Sequence, residues 1–150
     1  QAKTLFPYTT LFRSVLQLES AMGAAIECFE GATALVVPRS RFAPVKSTND
    51  LLALRSDAYQ VTDDHRLVLH PDRRGQPPLI DLDTKHYKVI ADFEALFPAG
   101  SPSLLGCNSM TVRGRVRFEQ GVVCTGDVEF TNAAETVRVI GAGAYTGKVS

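Results

Sequence analysis

The sequence predicts an α/β domain followed by a short parallel β-helix. Between residues 15 and 102, apolar residues at helical spacing alternate with short apolar runs bounded by Pro or Gly, as in an α/β sheet. Beyond residue 102 apolar residues recur every six positions, which is typical of a β-helix whose coils cover one another. An antiparallel hairpin sheet is the alternative. The six-residue repeat has two registers: Val116, Val122 and Val128, and Val112, Phe118, Cys124 and Phe130.

Charge and cysteine content exclude several classes of protein. The 150 residues include 16 basic and 16 acidic side chains, so nothing in the bulk charge favours nucleic acid or an anionic membrane as a partner. No apolar run approaches the roughly 20 residues of a membrane helix, and we expect a cytoplasmic protein without a membrane partner. Three widely spaced cysteines, without a C-x-x-C pair, favour neither a disulfide framework nor a zinc site.

The first elements of the α/β part are a helix and a strand. Apolar residues from Leu18 to Phe29 follow helical spacing, and Gly31 marks the predicted end of that helix. Residues 34–37, ALVV, are predicted to form a short buried strand that ends at Pro38. The loop after this strand is where an open α/β sheet places its ligands.

That loop is basic and leads directly into a second helix. Its basic side chains are Arg39, Arg41 and Lys46. Ser47 or Thr48 is the predicted helix cap, and Asp50 completes an approximate capping box. A cation beside the positive end of a helix dipole is strained unless an anion lies between them, which predicts a phosphate or carboxylate ligand here. A solvated basic loop is the alternative.

The remaining α/β elements follow in order. The second helix continues to about Ala58, residues 61–70 form a half-exposed strand or hairpin arm, and residues 73–76 form a solvated turn. Residues 79–82 are a short strand, and Asp83 or Thr84 caps a third helix that extends to Phe97.

Two polar groups in this region invite a metal or acid–base interpretation. His65 and His70 have no partner at ligand spacing, so we expect both to be structural. Helix caps and local ion pairs account for the second group, and we predict no metal site. The members of that group are Asp81, Asp83, Lys85 and His86.

Four segments, in this order, resemble the C-terminal part of the UTP–glucose-1-phosphate uridylyltransferases, also called UDP-glucose pyrophosphorylases. They are QLESAMGAAIECFE, VPRSRFAPVKSTNDLLALRSDAY, PPLIDLDTKHYKVIADFE and PSLLGCNSMTVRGRVRF. RFAPVK followed by S/T-x-DLL is the most specific motif. The resemblance covers nearly everything from Val15 onward, whereas residues 4–14, TLFPYTTLFRS, resemble a translated sequencing adaptor.

The resemblance implies a division into three parts. Residues 1–14 would be non-native, residues 15–102 would be the end of a mixed-sheet nucleotidyltransferase domain, and residues 103–150 would be a left-handed parallel β-helix. The chain would then be a truncated C-terminal portion, inactive alone, whose β-helix gives a possible homo-oligomer.

The resemblance also implies a reaction and residue roles. UTP and glucose 1-phosphate would give UDP-glucose and pyrophosphate with the help of Mg²⁺, whose ligands would lie outside these residues. Lys46 would be catalytic and contact the nucleotide phosphates, and Phe42 would lie near the sugar. Arg39 and Arg41 would bind substrate or instead pin the loop by pairing with a carboxylate.

Other functions stay open at this point. A related UDP-sugar pyrophosphorylase shares these motifs, and a non-catalytic assembly module would use the β-helix as its interface and leave the basic loop in solvent. A hexapeptide-repeat acyltransferase is disfavoured, because no histidine lies within the repeat.

Overall fold

The computed structural model describes residue 26, residues 28–38 and residues 43–150. The chain divides into two compact units, residues 1–37 and residues 38–150. The helices and strands named below all belong to the second unit. They are α1 (Thr48–Arg55), β1 (Tyr59–Val61), β2 (Leu67–Leu69), a 3-10 helix (Pro71–Arg73), β3 (Leu79–Leu82), α2 (Thr84–Tyr87), α3 (Ile90–Leu96), β4 (Ser103–Arg113), β5 (Val116–Phe118), β6 (Val122–Thr131), β7 (Arg138–Ile140) and β8 (Gly143–Val149).

In the first unit, the predicted buried strand at residues 34–37 is wrong. Leu35 and Val36 are 88% and 90% exposed, and the segment has no regular secondary structure. A strand forms when a neighbouring strand takes up its backbone hydrogen bonds, and no described residue pairs with this segment. The helix predicted over residues 18–29 lies mostly outside the described residues. At its predicted end, Gly31 has a φ of +74°, a value that favours glycine.

The second unit begins with α1 and a hairpin, both close to their predicted positions. Ser47 is the N-cap of α1, and α1 buries Leu52 and Ala53. Strands β1 and β2 pair antiparallel, which confirms the hairpin form of the prediction for residues 61–70.

A stack of parallel strands forms most of the second unit. One sheet has the order β3-β4-β6-β8, a second consists of β5 and β7, and all of their pairings are parallel. Met110 pairs with Val128, and Val128 pairs with Gly147, so the chain returns to the same sheet position after 18 and 19 residues. The alternative of an antiparallel hairpin sheet is therefore wrong.

The two six-residue registers form the core of this stack. All seven side chains are buried, at 2% exposure or less. Phe118 stacks on Phe97 with ring centroids 4.9 Å apart, and it meets Phe130 edge-on at 5.0 Å. Side chains of the repeat on β5 and β6 are thus in direct contact.

The corner between β4 and β5 requires glycine. Gly114 has a φ of +79°, and a Cβ atom there would lie 2.0 Å from the carbonyl oxygen of Asn132. Asn132 opens the external loop between β6 and β7, and its side-chain amide donates to the carbonyls of Arg115 and Thr136, both at 2.7 Å. This loop interrupts the six-residue repeat.

The predicted third helix is two short helices, α2 and α3. Tyr87 and Phe93 are both fully buried, but six residues of a continuous helix would place them about 120° apart around its axis. Val89, in extended conformation, separates the helices and lets both rings reach the core. The Tyr87 hydroxyl donates to the Val116 carbonyl at 2.6 Å, whereas Ile90, at the start of α3, is 52% exposed.

The predicted solvated turn at residues 73–76 is wrong for Arg73. Its side chain is only 8% exposed, and its guanidinium donates to the carbonyls of Gln76, Leu105 and Cys107. A run of charged and turn-forming residues indicates solvent exposure, but the 3-10 helix directs Arg73 against the start of β4. Long-range partners of this kind leave no local pattern in the sequence.

Strands from both sides of residue 102 share one sheet and one hydrophobic core. The domain boundaries predicted at residues 14 and 102 stay predictions. Among the described residues, no helix is long and apolar enough to cross a membrane.

Candidate functional site

Of the four predicted site residues, the structure describes Lys46. It is exposed and lies in the loop directly before α1. Arg39, Arg41 and Phe42 lie outside the described residues. The candidate site is therefore built from Lys46, the start of α1 and their surroundings.

The start of α1 carries its own anion. One carboxylate oxygen of Asp50, Oδ2, accepts the backbone N–H groups of Lys46 at 3.0 Å and of Ser47 at 2.9 Å. The Ser47 hydroxyl donates to the same oxygen at 2.9 Å. The side chain that completes the capping box therefore satisfies the N–H groups of Lys46 and Ser47, and these two groups are not free for a ligand.

These contacts set the protonation of Asp50. The Lys46 N–H, together with the hydroxyl and N–H of Ser47, holds the pKa of Asp50 below its usual value, and the Lys46 charge acts in the same direction. Asp50 is therefore ionised at neutral pH and complements the positive end of the helix dipole.

The ammonium group of Lys46 is left available. Within the part of the chain that the structure describes, no carboxylate forms an ion pair with it. An exposed, unpaired ammonium group beside a rigid helix start can meet an anionic group of a ligand at small cost in desolvation.

An open cleft of about 490 Å³ lies next to this loop. Its walls come from the loop, α1, the hairpin and the segment that leads into β3. Asn49 fixes one wall, because its Oδ1 accepts the backbone N–H of Leu82 at 3.2 Å. The lining residues that the loop and the start of α1 contribute are Ala43, Pro44, Asn49 and Asp50. The cleft is concave and partly apolar, as small-molecule sites are.

The polar cluster around β3 has structural roles, as predicted. Asp81 forms an ion pair with Arg113, which lowers the pKa of that carboxyl group. Asp83 caps α2 through the Lys85 N–H at 3.0 Å and accepts the Gly114 N–H at 2.9 Å. The Gly114 hydrogen bond is the main cause of its lowered pKa.

The histidines are structural as well. Nδ1 of His70 accepts the Asp72 N–H at 3.2 Å at the start of the 3-10 helix, and His65 lies exposed in the hairpin turn with a φ of 58°. The described residues contain no group of three or more His, Cys, Asp or Glu side chains that could hold a metal ion. Cys28, Cys107 and Cys124 are free cysteines.

Sequence reasoning missed two charged residues that organise the start of β4. Asp57 follows the end of α1 and accepts the N–H groups of Leu104 at 2.7 Å and Leu105 at 2.9 Å. Arg73 donates to carbonyls of the same segment. The partners lie more than 30 residues away along the chain, so no spacing rule finds them.

A comparison with models of protein families assigns the chain to a family. The model of UTP–glucose-1-phosphate uridylyltransferase matches residues 7–125. The chain belongs to the UTP–glucose-1-phosphate uridylyltransferase family. The recognition based on the RFAPVK segment and its neighbours is thereby confirmed.

Curated relatives in this family are much longer than the chain. The uridylyltransferase of Hordeum vulgare is 45% identical over 115 residues, which are 76% of this chain and 24% of the relative. That of Saccharomyces cerevisiae is 43% identical over 115 residues, which are 77% of this chain and 22% of the relative. The chain thus spans about a quarter of the length of these uridylyltransferases.

Solved structures of the family share the fold. A UDP-glucose pyrophosphorylase from Leishmania major is 57% identical with a TM-score of 0.70, over 86% of this chain and 27% of that one. A Trypanosoma brucei structure described as a UDP-glucose phosphorylase is 54% identical with a TM-score of 0.74, over 93% of this chain and 31% of that one. The mixed α/β architecture with its parallel sheet is the one found in this uridylyltransferase family.

Proposed function

We propose that a full-length protein containing this chain makes UDP-glucose and pyrophosphate from UTP and glucose 1-phosphate. The observation that carries the proposal is the family match over residues 7–125. Solved structures above 50% identity, described as UDP-glucose pyrophosphorylases, support it.

The reaction is a transfer of a uridylyl group. An oxygen of the glucose 1-phosphate phosphate attacks the α-phosphorus of UTP, and a new P–O bond forms. The bond between the α-phosphorus and the oxygen bridging to the β-phosphorus breaks, and pyrophosphate leaves with that electron pair. Catalysis then depends on alignment of the two substrates and on neutralisation of phosphate charge.

Lys46 is the residue that we propose for charge neutralisation. Its exposed ammonium group without a carboxylate partner in the described structure supports this role, and Asp50 holds the backbone beneath it. Phe42 near the sugar, with Arg39 and Arg41 on the substrate or pinning the loop, completes the proposed site. Loss of one charge-assisted contact to the transition state costs on the order of 3 kcal/mol, or about a hundredfold in rate.

The described residues do not fit a magnesium site. Asp50, Asp81 and Asp83 are engaged with backbone N–H groups or with Arg113, and no three-ligand group exists in the described part of the chain. We keep Mg²⁺ as a proposed cofactor whose ligands lie elsewhere, and we assign no step of the reaction to it.

We further propose that the parallel stack is the start of a left-handed β-helix, with residues 103–150 as its module. The 18- and 19-residue returns of the chain and the six-residue registers support a triangular coil. We also propose a homo-oligomer through this module and a cytoplasmic location. A non-native origin of residues 1–14 is a separate proposal, and the family match from residue 7 argues against it for residues 7–14.

The test is pyrophosphate release from UTP and glucose 1-phosphate by the full-length protein. We expect turnover in the parent, a loss of about a hundredfold in kcat/KM in Lys46→Ala, and little change in Lys88→Ala, a matched exposed lysine at the end of α2. A Lys46→Ala variant as active as the parent would remove Lys46 from the site while leaving the reaction in place. A well-folded parent without turnover would overturn the proposed function.

A further inference from the structure

The start of β4 is irregular where the chain enters the parallel stack. The register between β4 and β6 shifts between Ser103 and Gly106 and again between Cys107 and Ser109. At such shifts some backbone N–H and C=O groups lose their ladder partners and need others, because an unpaired buried polar group is costly.

Asp57 supplies acceptors to the N–H groups of this segment. Its Oδ1 accepts the N–H groups of Leu104 at 2.7 Å and of Leu105 at 2.9 Å. Its Oδ2 accepts the hydroxyl of Ser103 at 2.5 Å. One carboxylate therefore binds three consecutive residues at the entry to the stack.

Arg73 supplies donors to the C=O groups of the same segment. One terminal nitrogen of its guanidinium approaches the carbonyl oxygens of Leu104 at 3.5 Å, Leu105 at 3.1 Å and Cys107 at 2.5 Å. The side chain is 8% exposed, and no described carboxylate forms an ion pair with it. A buried charge without a counter-charge is expensive, so the carbonyl dipoles alone leave Arg73 incompletely compensated.

The peptide group between Leu104 and Leu105 joins the two charges. Its oxygen faces Arg73 and its N–H donates to Asp57, so the cation and the anion lie at the matching ends of one peptide dipole. Both charges polarise this peptide in the same sense, and each hydrogen bond strengthens the other.

We propose that Asp57 and Arg73 are positioning residues that form a charge pair bridged by the Leu104–Leu105 peptide group. The pair holds the irregular entry of the chain into the parallel stack. Asp57 is the counter-charge of the buried guanidinium although the two side chains do not touch.

The pair also fixes the end of α1. Asp57 lies two residues after the last residue of α1, and the Ser101 hydroxyl donates to the carbonyl of Leu52 at 3.2 Å. Asn49 holds the opposite end of α1 through the N–H of Leu82. The helix that begins beside Lys46 is thereby attached to the sheet at both ends, a conclusion that does not depend on the proposed reaction.

The test is hydrogen exchange of the 150-residue chain by NMR, with Asp57→Asn as the variant. We expect the amides of Leu104 and Leu105 to exchange at least tenfold faster. The Arg73 Nε–H, which donates to Gln76 and not to Asp57, should also exchange several-fold faster. Amides in the regular part of β4, such as those of Met110 and Val112, should keep their rates. The matched control is Asp127→Asn, whose carboxylate accepts the Ser109 hydroxyl and no other group of the described residues, and it should change none of these signals.

Two outcomes overturn the proposal. An unchanged Arg73 signal in Asp57→Asn would show that the two charges are not coupled through the peptide. Equal acceleration along the whole of β4 would show a general loss of stability rather than a local positioning role. Asp57→Glu, which keeps the charge, should return the Arg73 exchange rate to within about threefold of the parent rate, and failure of this rescue would also count against the pair.

Discussion

Two runs of apolar residues in this chain differ in burial and in secondary structure. Residues 34–37, ALVV, are exposed and irregular, with Val36 at 90% exposure. In β6, Val122, Cys124, Val128 and Phe130 are 2% exposed or less, and the residues between them are exposed or half-buried. Composition alone favours a strand in both places, yet only β6 forms one.

The difference lies in the neighbours of each run. Strand β6 is hydrogen-bonded to β4 on one side and to β8 on the other, and its inward side chains meet those of adjacent coils. No described residue offers either kind of contact to residues 34–37. Whether a run of apolar residues forms a strand thus depends on neighbouring strands that pack against it, and the residue types alone do not decide it.

The largest of the expected effects is a difference in reactivity between exposed Cys28 and the two buried cysteines of the parallel stack. Cys28 is exposed, whereas burial raises the pKa of Cys107 to about 11 and that of Cys124 to about 12. Because the thiolate is the nucleophile, we expect iodoacetamide at neutral pH to modify Cys28 at least a thousandfold faster, or about 4 kcal/mol in activation free energy. Mass spectrometry of timed digests measures the three rates. Comparable rates for all three thiols would show that the stack opens readily.

A pair of truncations tests the energetic side of the comparison. Phe118→Ala removes a fully buried ring between Phe97 and Phe130, and we expect it to lower the free energy of unfolding by about 3–4 kcal/mol. The matched truncation Leu35→Ala, at an 88% exposed side chain, should change it by less than about 0.5 kcal/mol. Urea denaturation followed by circular dichroism gives both values. A large effect of Leu35→Ala would mean that the ALVV segment is covered in solution.

The third prediction, with a smaller effect than the cysteine and Phe118 experiments, concerns the attachment of the parallel stack to α2. Asp83 caps α2 and binds the Gly114 N–H, so Asp83→Asn should lower the free energy of unfolding by about 1 kcal/mol at pH 7. The folded-state pKa of Asp83 lies below its unfolded value, and its contribution is therefore present above about pH 4 and lost as the pH falls through the folded pKa. Unfolding of both proteins between pH 7 and pH 3 measures the difference. A difference in the free energy of unfolding that stays constant between pH 7 and pH 3 would contradict the assignment to the ionised carboxylate.

The candidate site was only partly predictable. The capping box at Ser47 and Asp50 follows from local spacing, because a helix cap is made by residues three positions apart. The basic residue before the same helix start predicts an external anion, although Asp50 itself accepts the N–H groups of Lys46 and Ser47. Local motifs say which groups are near one another, but they do not say which partner takes a shared donor.

By itself, the sequence indicated the family, favoured a parallel stack over an antiparallel hairpin sheet, and located the start of α1. These depend on short-range periodicity and on motifs whose residues are close together along the chain. Only the tertiary structure decided that Arg73 is buried, that Asp57 binds Leu104 and Leu105, and that residues 34–37 stay exposed. The physical reason is that burial and long-range hydrogen bonds depend on which distant segments meet, and a local pattern of residues carries no record of them.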